Sequence, residues 1–191
     1  QERDVLNMRE RLTTHMNLEM AITQEMLAIA LSVKPRDVCI VPEKRQELTT
    51  EGGLDVVSQL QQVKEACRKL AGAGVRVSLF IDASFEQIDA AKLAGVSVVE
   101  IHTGHYASAS RDKMQGELDR VLAAIDYSHS IGLTVNAGHG LNCGNVSPIA
   151  AHPAVSELNI GHSIIARSVY VGIEQAVREI KDCLCAARKN V

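Results

Sequence analysis

The sequence predicts an α/β protein with parallel strands, and more narrowly part of a TIM, or (β/α)8, barrel. Along its 191 residues, a short apolar segment is followed six times by a polar or glycine-rich loop and then by a longer segment of helical periodicity. No hairpin dipeptide joins the predicted strands, which favours parallel pairing. Strands of only four to seven residues suit a closed barrel better than a wide open sheet.

The predicted elements alternate from one end of the chain to the other. An opening helix covers 3–13, and strands are predicted at 15–20, 37–41, 75–81, 98–102, 133–137 and 157–160. Helices are predicted at 23–33, 54–71, 84–94, 111–130, 147–151 and 172–188. Ser84 and Gln87 have the spacing of a capping box. A glycine stands at three helix-to-strand joints, where a left-handed C-cap is expected: Gly74, Gly95 and Gly132.

The composition limits the possible functions. With 46% hydrophobic and 23% charged residues, residues 1–191 are expected to form one globular domain and not a disordered chain. The net charge of −3 is not basic enough for general nucleic-acid binding. The longest apolar run, 26–31, is far below the ~20 residues of a membrane span, so no membrane partner is expected. Five cysteines without C-x-x-C spacing favour a reducing compartment, which we take to be the cytoplasm.

Charged residues and histidines gather after the predicted strands, at the end where (β/α)8 barrels hold their active sites. Glu19 ends the first strand, and burial inside a barrel would suit it to general-base chemistry near neutral pH. Glu100 and His102 share a face of another strand, where a carboxylate can orient an imidazole. His139 follows a strand between two glycines, which allow a ligand to approach the backbone closely.

Two loops are candidates for substrate binding. The connection 42–53 is longer than the ~2–6 residues usual between strand and helix, and such loops are often lids. After the last strand, Gly161 and His162 precede a segment, 163–169, that is long enough for a short extra helix. Barrels commonly bind phosphate there through backbone N–H groups.

Other functions remain open from the residues alone. Lys44 at a strand end would suit a Schiff-base aldolase or isomerase. A metal-dependent epimerase is a weaker alternative, because His102, His105, His139 and His162 lack the usual metal-ligand spacing. A barrel that binds a phosphorylated metabolite without catalysis is a third possibility.

Specific strings in the chain resemble those of the pyridoxine 5′-phosphate synthase family. The matching segments are MNLEMAIT (16–23), VPEKRQELTTEGGLDV (41–56), VSLFID (77–82), EIHTGHYA (100–107), VNAGHGLN (135–142) and ELNIGHSIIARSV (157–169). The resemblance implies a (β/α)8 barrel that assembles as a homo-octamer. It also implies condensation of 3-amino-2-oxopropyl phosphate with 1-deoxy-D-xylulose 5-phosphate to form pyridoxine 5′-phosphate, inorganic phosphate and water, with no metal or organic cofactor.

The same resemblance implies roles for individual residues. By their place in the matching motifs, Glu19 corresponds to a general base, His139 to a proton donor and Glu100 to a carboxylate that stabilises the transition state. Four further positions correspond to substrate- and phosphate-binding sites: Thr49, Gly140, Gly161 and His162.

The chain departs from the family pattern at its start. The family begins with two strand–helix units that carry a further histidine and phosphate-binding arginines. The sequence from Gln1 onward contains no counterpart of these two units. We therefore expect these residues to form strands 3–8 of the barrel, and the native protein to be longer than this 20.7 kDa chain. An intact mass of the native protein tests that expectation.

Overall fold

The structure is a computed structural model that describes residues 2–43 and 52–189. The chain divides into two compact units, 1–100 and 101–191, and each is described by itself below. The described strands are β1 (Asn17–Met20), β2 (Asp37–Ile40), β3 (Arg76–Ile81), β4 (Val98–His102), β5 (Thr134–Gly138) and β6 (Val155–Asn159). The described helices are α1 (Glu2–Arg11), α2 (Gln24–Val33), α3 (Leu60–Gly72), α4 (Phe85–Ala94), α5 (Gly104–Ser108), α6 (Met114–Ser130), α7 (Ser147–Ala151), α8 (His162–Val171) and α9 (Ile173–Lys189).

The strands of the first unit lie side by side in chain order, from β1 to the start of β4. Both β1 with β2 and β2 with β3 pair in parallel. Every residue of β2 is buried, as is typical of a parallel strand covered on both faces. The register places Glu19 opposite Cys39, and Cys39 opposite Ser78. Three polar side chains are therefore aligned across neighbouring strands.

In the second unit, the end of β4 is followed in the sheet by β5 and then β6. The β5–β6 pair is parallel, and Gly138 lies opposite Asn159 at its carboxyl end. The loops that follow these two strands therefore start beside each other. Helix α6 buries Val121 and Ile125 in the interior of this unit. Such apolar burial, at about 25 cal/mol per Å², stabilises the strands against which the helices pack.

The structure confirms the predicted α/β class. Six strands in chain order, with helices between them, have the architecture of part of a (β/α)8 barrel. The three glycines at helix-to-strand joints all have positive φ angles, as predicted: Gly74, Gly95 and Gly132. A helix also follows the last strand, since α8 begins at His162. The prediction that residues 1–191 form one barrel domain without its first two strand–helix units stays a prediction.

Several boundaries differ from the sequence prediction. Helix α3 begins at Leu60 instead of residue 54, and the five-residue helix α5 was not predicted. Strand β6 begins at Val155, two residues before the predicted start at 157. The predicted capping box at Ser84 is wrong, because the Gln87 side chain accepts from the backbone N–H of Val56 at 2.8 Å.

Of the helices within residues 2–43 and 52–189, none has both the length and the apolar character required to cross a bilayer.

Candidate active site

A row of polar side chains lies across the strands of the first unit. Because Glu19, Cys39 and Ser78 are paired in register on parallel strands, their side chains leave the sheet on the same face. The Cys39 thiol donates a hydrogen bond to Oε2 of Glu100 on β4, with 3.5 Å between sulfur and oxygen. Glu100 is only 3% exposed and Cys39 only 1%. The two carboxylates predicted from sequence therefore belong to one polar row that a buried thiol also joins.

Burial determines the state of the thiol in this row. Removal from water, followed by the negative charge of Glu100, raises the pKa of Cys39 well above its usual value. The nearby charge of Glu19 acts in the same direction. The thiol is therefore neutral at ordinary pH, which keeps its proton available for the bond to Glu100.

Glu19 is exposed in the part of the chain that the structure describes. The expectation that it lies desolvated inside a complete barrel stays a prediction. Its strand, β1, is the first in the order of the sheet and pairs with β2. A carboxylate at this position can accept a proton directly from a bound molecule.

His139 in the second unit follows directly after β5, in a backbone conformation that is rare for residues other than glycine. Its φ angle is 84°. The Thr103 hydroxyl lies 2.7 Å from the carbonyl oxygen of Gly138 and 2.6 Å from that of His139, and its proton can bond to either. The backbone N–H of Thr103 also donates to Gly138, at 2.8 Å. The end of β4 thus holds the turn that presents His139.

Three imidazoles cluster at this turn. The ring of His102 lies edge-on to that of His139, with centroids 4.8 Å apart, and to that of His105, at 5.5 Å. Gly104 lies between two of them: a Cβ there would be 2.5 Å from Nε2 of His102 and 2.8 Å from Cδ2 of His139. Only glycine leaves room for both rings. The backbone at position 104 therefore shapes the space around His139.

Gly161 and His162 begin helix α8, where the sequence predicted a phosphate site. Gly161 is the N-cap residue, and the first turn of a helix directs backbone N–H groups outward. The hydroxyl of Ser163 in that turn donates to the carbonyl oxygen of Leu141 at 2.7 Å. Since Leu141 lies two residues after His139, this bond fastens the start of α8 to the loop that carries the imidazole. Gly140 lies in the same loop, with a φ angle of 76°.

The end of the long loop in the first unit is held by contacts with distant residues. The backbone N–H of Gly53 donates to Oδ1 of Asp82 at 3.1 Å, and that of Leu54 donates to the carbonyl of Phe80 at 2.7 Å. A Cβ at Gly53 would lie 2.4 Å from the backbone nitrogen of Asp82, so a larger residue does not fit. Thr49, predicted to bind substrate, and Lys44, the candidate Schiff-base lysine, lie outside the described residues.

Two contributors were not identified from sequence. From the sequence, Cys39 counts only as one of five cysteines that favour a reducing compartment, and Thr103 occurs only inside the matching segment 100–107. Their partners are 61 and 36 positions away in the chain, so local spacing contains no sign of either contact. One sequence feature could have indicated the contact of Cys39: the residue lies within a predicted strand that is next in the chain to the strand of Glu19.

Comparisons with known proteins point to one family. The sequence model of the family described as "Pyridoxal phosphate biosynthesis protein PdxJ" matches residues 1–186. A protein of Idiomarina loihiensis named pyridoxine 5′-phosphate synthase is 56% identical over 188 residues, which are 98% of this chain and 78% of that protein. Proteins of the same name from Photobacterium profundum and Coxiella burnetii are 54% and 53% identical, each over 98% of this chain and over 78% and 79% of their own lengths.

Solved structures that are similar in shape are distant in sequence. The Amycolatopsis orientalis BexX/CysO complex matches with a TM-score of 0.60 at 12% identity, over 85% of this chain and 59% of that chain. The citrate synthase SbnG matches with a TM-score of 0.53 at 12% identity, over 94% of this chain and 78% of that one. At such low identity these likenesses support the α/β fold alone.

Proposed function

The chain belongs to the PdxJ family of pyridoxal phosphate biosynthesis proteins, and we propose that it is an enzyme that forms pyridoxine 5′-phosphate. The observation that carries this proposal is the identity of 53–56% with three pyridoxine 5′-phosphate synthases over 98% of the chain. The proposed substrates are 3-amino-2-oxopropyl phosphate and 1-deoxy-D-xylulose 5-phosphate. The products are pyridoxine 5′-phosphate, inorganic phosphate and water.

The proposed chemistry consists of proton transfers around one condensation. The amine of one substrate can attack the ketone of the other, so the reaction requires no enzyme lysine. The later steps remove protons from carbon, expel phosphate and water, and aromatise the ring. Such steps need groups that accept protons and groups that donate them.

We assign Glu19 as the general base because it is a carboxylate at the carboxyl end of β1, where it can accept a proton from a bound substrate. Glu100 is buried beside the Cys39 thiol, and we assign it to stabilise positive charge that develops in the transition state. A fixed carboxylate is more effective than a mobile one in this role, because its orientation costs nothing at the moment of reaction.

We assign His139 as the proton donor that assists departure of a leaving group. Its position after β5 and the Thr103 bonds to this turn support the assignment, because a proton donor must be held at a fixed place. The imidazole is also exposed, so that it can exchange its proton with solvent between turnovers.

For the phosphate of one substrate, we propose the first turn of α8, with Gly161 and His162. The Ser163 bond to Leu141 fastens this turn to the His139 loop, which supports the proposal that a phosphate bound here directs the rest of its molecule toward the imidazole. Gly140 and Thr49 are proposed to bind substrate as well. Assembly as a homo-octamer and a cytoplasmic location are part of the same proposal.

The test is a reaction of the purified protein with both proposed substrates. We expect pyridoxine 5′-phosphate to accumulate, as followed by its absorbance and by mass spectrometry, with one inorganic phosphate released per molecule formed. Reactions that lack either substrate are the controls. No product from both substrates would refute the proposal. Borohydride trapping of substrate on Lys44, or loss of activity with a chelator, would instead favour the aldolase or metal-dependent alternative.

His139→Asn tests the assignment of the proton donor in the same assay. We expect kcat to fall by about 10²–10⁴-fold, as is typical when a positioned acid is lost. His129→Asn is the matched control, because His129 is an exposed imidazole at the end of α6. Unchanged activity of His139→Asn would remove this residue from the mechanism.

A further inference from the structure

We propose that Cys39 is a positioning residue that holds the carboxylate of Glu100 in its working orientation through the thiol hydrogen bond. The inference rests on the proposed function, because it concerns a residue assigned there. It adds a role for a cysteine that neither the motifs nor the assigned chemistry uses.

The geometry comes from the centre of the first unit. Cys39 is the third residue of β2, a strand whose four residues are all buried. Its Sγ lies 3.5 Å from Oε2 of Glu100 and donates a hydrogen bond to it. The partners are 61 positions apart, so the bond connects distant parts of the chain inside the protein.

The direction of the hydrogen bond follows from the charges around the thiol. Glu100 contacts it and Glu19 lies opposite it in the register of β1 and β2. Removal of the sulfur from water, followed by the charge of these two carboxylates, raises the pKa of Cys39. A thiolate would repel Glu100, whereas the neutral thiol donates to it. The arrangement therefore keeps the cysteine protonated and the bond in place.

A hydrogen-bond donor beside the Glu100 carboxylate stabilises that buried group. A buried carboxylate loses its hydration, and hydrogen bonds from the protein must replace it. A serine hydroxyl from β3 lies in the same register row, since Ser78 is opposite Cys39. Its Oγ is 3.4 Å from the carbonyl oxygen of Val38, to which it donates. The Cys39 thiol is a member of the row that bonds directly to Glu100, at 3.5 Å.

Substitutions at Cys39 distinguish its role in positioning Glu100 from its role in packing the interior. In Cys39→Ala the donor is lost, and we expect kcat to fall by about fivefold with little change in KM. An ordinary hydrogen bond to a charged group would give a larger loss of kcat, but thiols are weak donors. Cys39→Ser keeps a donor, and we expect it to retain most of the activity. The matched control is Cys67→Ala, which removes another buried thiol, on α3, outside the polar row.

If Cys39→Ala has wild-type kcat, if Cys39→Ser is no better than Cys39→Ala, or if Cys67→Ala reduces kcat equally, the proposal is overturned. Melting curves of all three variants show whether any of them loses activity by unfolding.

An infrared measurement tests, independently of activity, whether the Cys39 thiol donates a hydrogen bond to Glu100. The S–H stretching band of Cys39 is identified in infrared difference spectra of wild type against Cys39→Ala. A carboxylate acceptor lowers the frequency of this band, so we expect Glu100→Gln to move it upward. A band that does not move would overturn the proposal even if the enzyme is active. A wild-type protein that makes no pyridoxine 5′-phosphate would refute the proposed function, while the infrared result still decides whether the thiol holds Glu100.

Discussion

The Thr103 hydroxyl oxygen lies 2.6 Å from the carbonyl oxygen of His139, and this contact fastens the turn after β5 to the end of β4. Thr103 is completely buried, whereas His139 is exposed. A buried anchor thus fixes the backbone of an exposed imidazole. The bond holds a residue whose φ angle of 84° makes its conformation costly.

Thr103→Val removes this anchor while keeping the size of the side chain. The hydroxyl donor that either carbonyl oxygen can accept is lost, and we expect the free energy of unfolding to fall by about 1–2 kcal/mol. We also expect kcat to fall, because the turn that carries His139 gains freedom. Denaturant titration and the product assay measure the two effects. Thr103→Ser keeps the hydroxyl and serves as the control; equal losses in both variants would show that the methyl group, and not the bond, matters.

Gly104→Ala tests whether the space between the histidines is needed. The added Cβ would lie 2.5 Å from His102 and 2.8 Å from His139, so at least one ring must move. We expect activity to fall by more than about tenfold, since a displacement of about 1 Å can cost two orders of magnitude in rate.

Gly116→Ala is the matched control for that substitution. Gly116 lies in α6, and a Cβ there meets nothing within 4 Å. We expect this variant to keep full activity and to gain about 0.5–1 kcal/mol in stability, because alanine favours a helix. Full activity of Gly104→Ala would show that the rings do not need the space between them.

Asp37 lies at the amino end of β2, and we expect it to act on stability alone. Its buried carboxylate bonds to the Arg76 side chain and lies 3.7 Å from that of Arg36. Asp37→Asn should lower the free energy of unfolding by about 1–2 kcal/mol, since a half-buried charge-assisted bond to Arg76 is weakened. In parallel barrels the amino ends of strands contribute to stability and the carboxyl ends to catalysis. A kcat that fell with intact folding would contradict this division.

Asp55 makes part of the stability depend on pH. The Gln87 side chain donates to its carboxylate at 2.9 Å, and this bond, with that from Ser58, lowers the pKa of Asp55 below its usual 3.8. A lowered folded-state pKa adds stability that is present above the usual value and is lost as pH falls through the folded value. We therefore expect Asp55→Asn to be less stable than wild type at pH 6, and the gap to shrink below about pH 4. Denaturant titrations across this range measure it, and a gap that stays constant would exclude the linkage.

The sequence was sufficient for the alternation of strands and helices, because apolar periodicity and glycine caps are local signals. It was also sufficient to mark His139, since a histidine between two glycines after a strand is a local pattern. The start of α3 was misplaced because Gly53 and Leu54 are held by residues of the following strand and its loop, which a local pattern does not show. The capping box failed for the same reason, as Gln87 is engaged by Val56.

The environment of a side chain is harder to predict from sequence than its position on a strand or helix. Glu19 stands at the end of a strand as expected, but its exposure depends on which strands flank β1, and its own segment does not encode this. The Cys39–Glu100 contact depends on how strands 61 residues apart are brought together. Burial and long-range contacts are properties of the assembled fold, and a single sequence read by periodicity does not contain them.

The positive φ angle of His139 implies that this position lowers the stability of the protein for the sake of function. A backbone at 84° suits glycine, and the imidazole side chain stands there at a cost of about 1–2 kcal/mol. A chain optimised for thermal endurance alone would place glycine at this position. Efforts to engineer a hardier form of the protein by relieving backbone strain would therefore favour a substitution that removes the proposed proton donor.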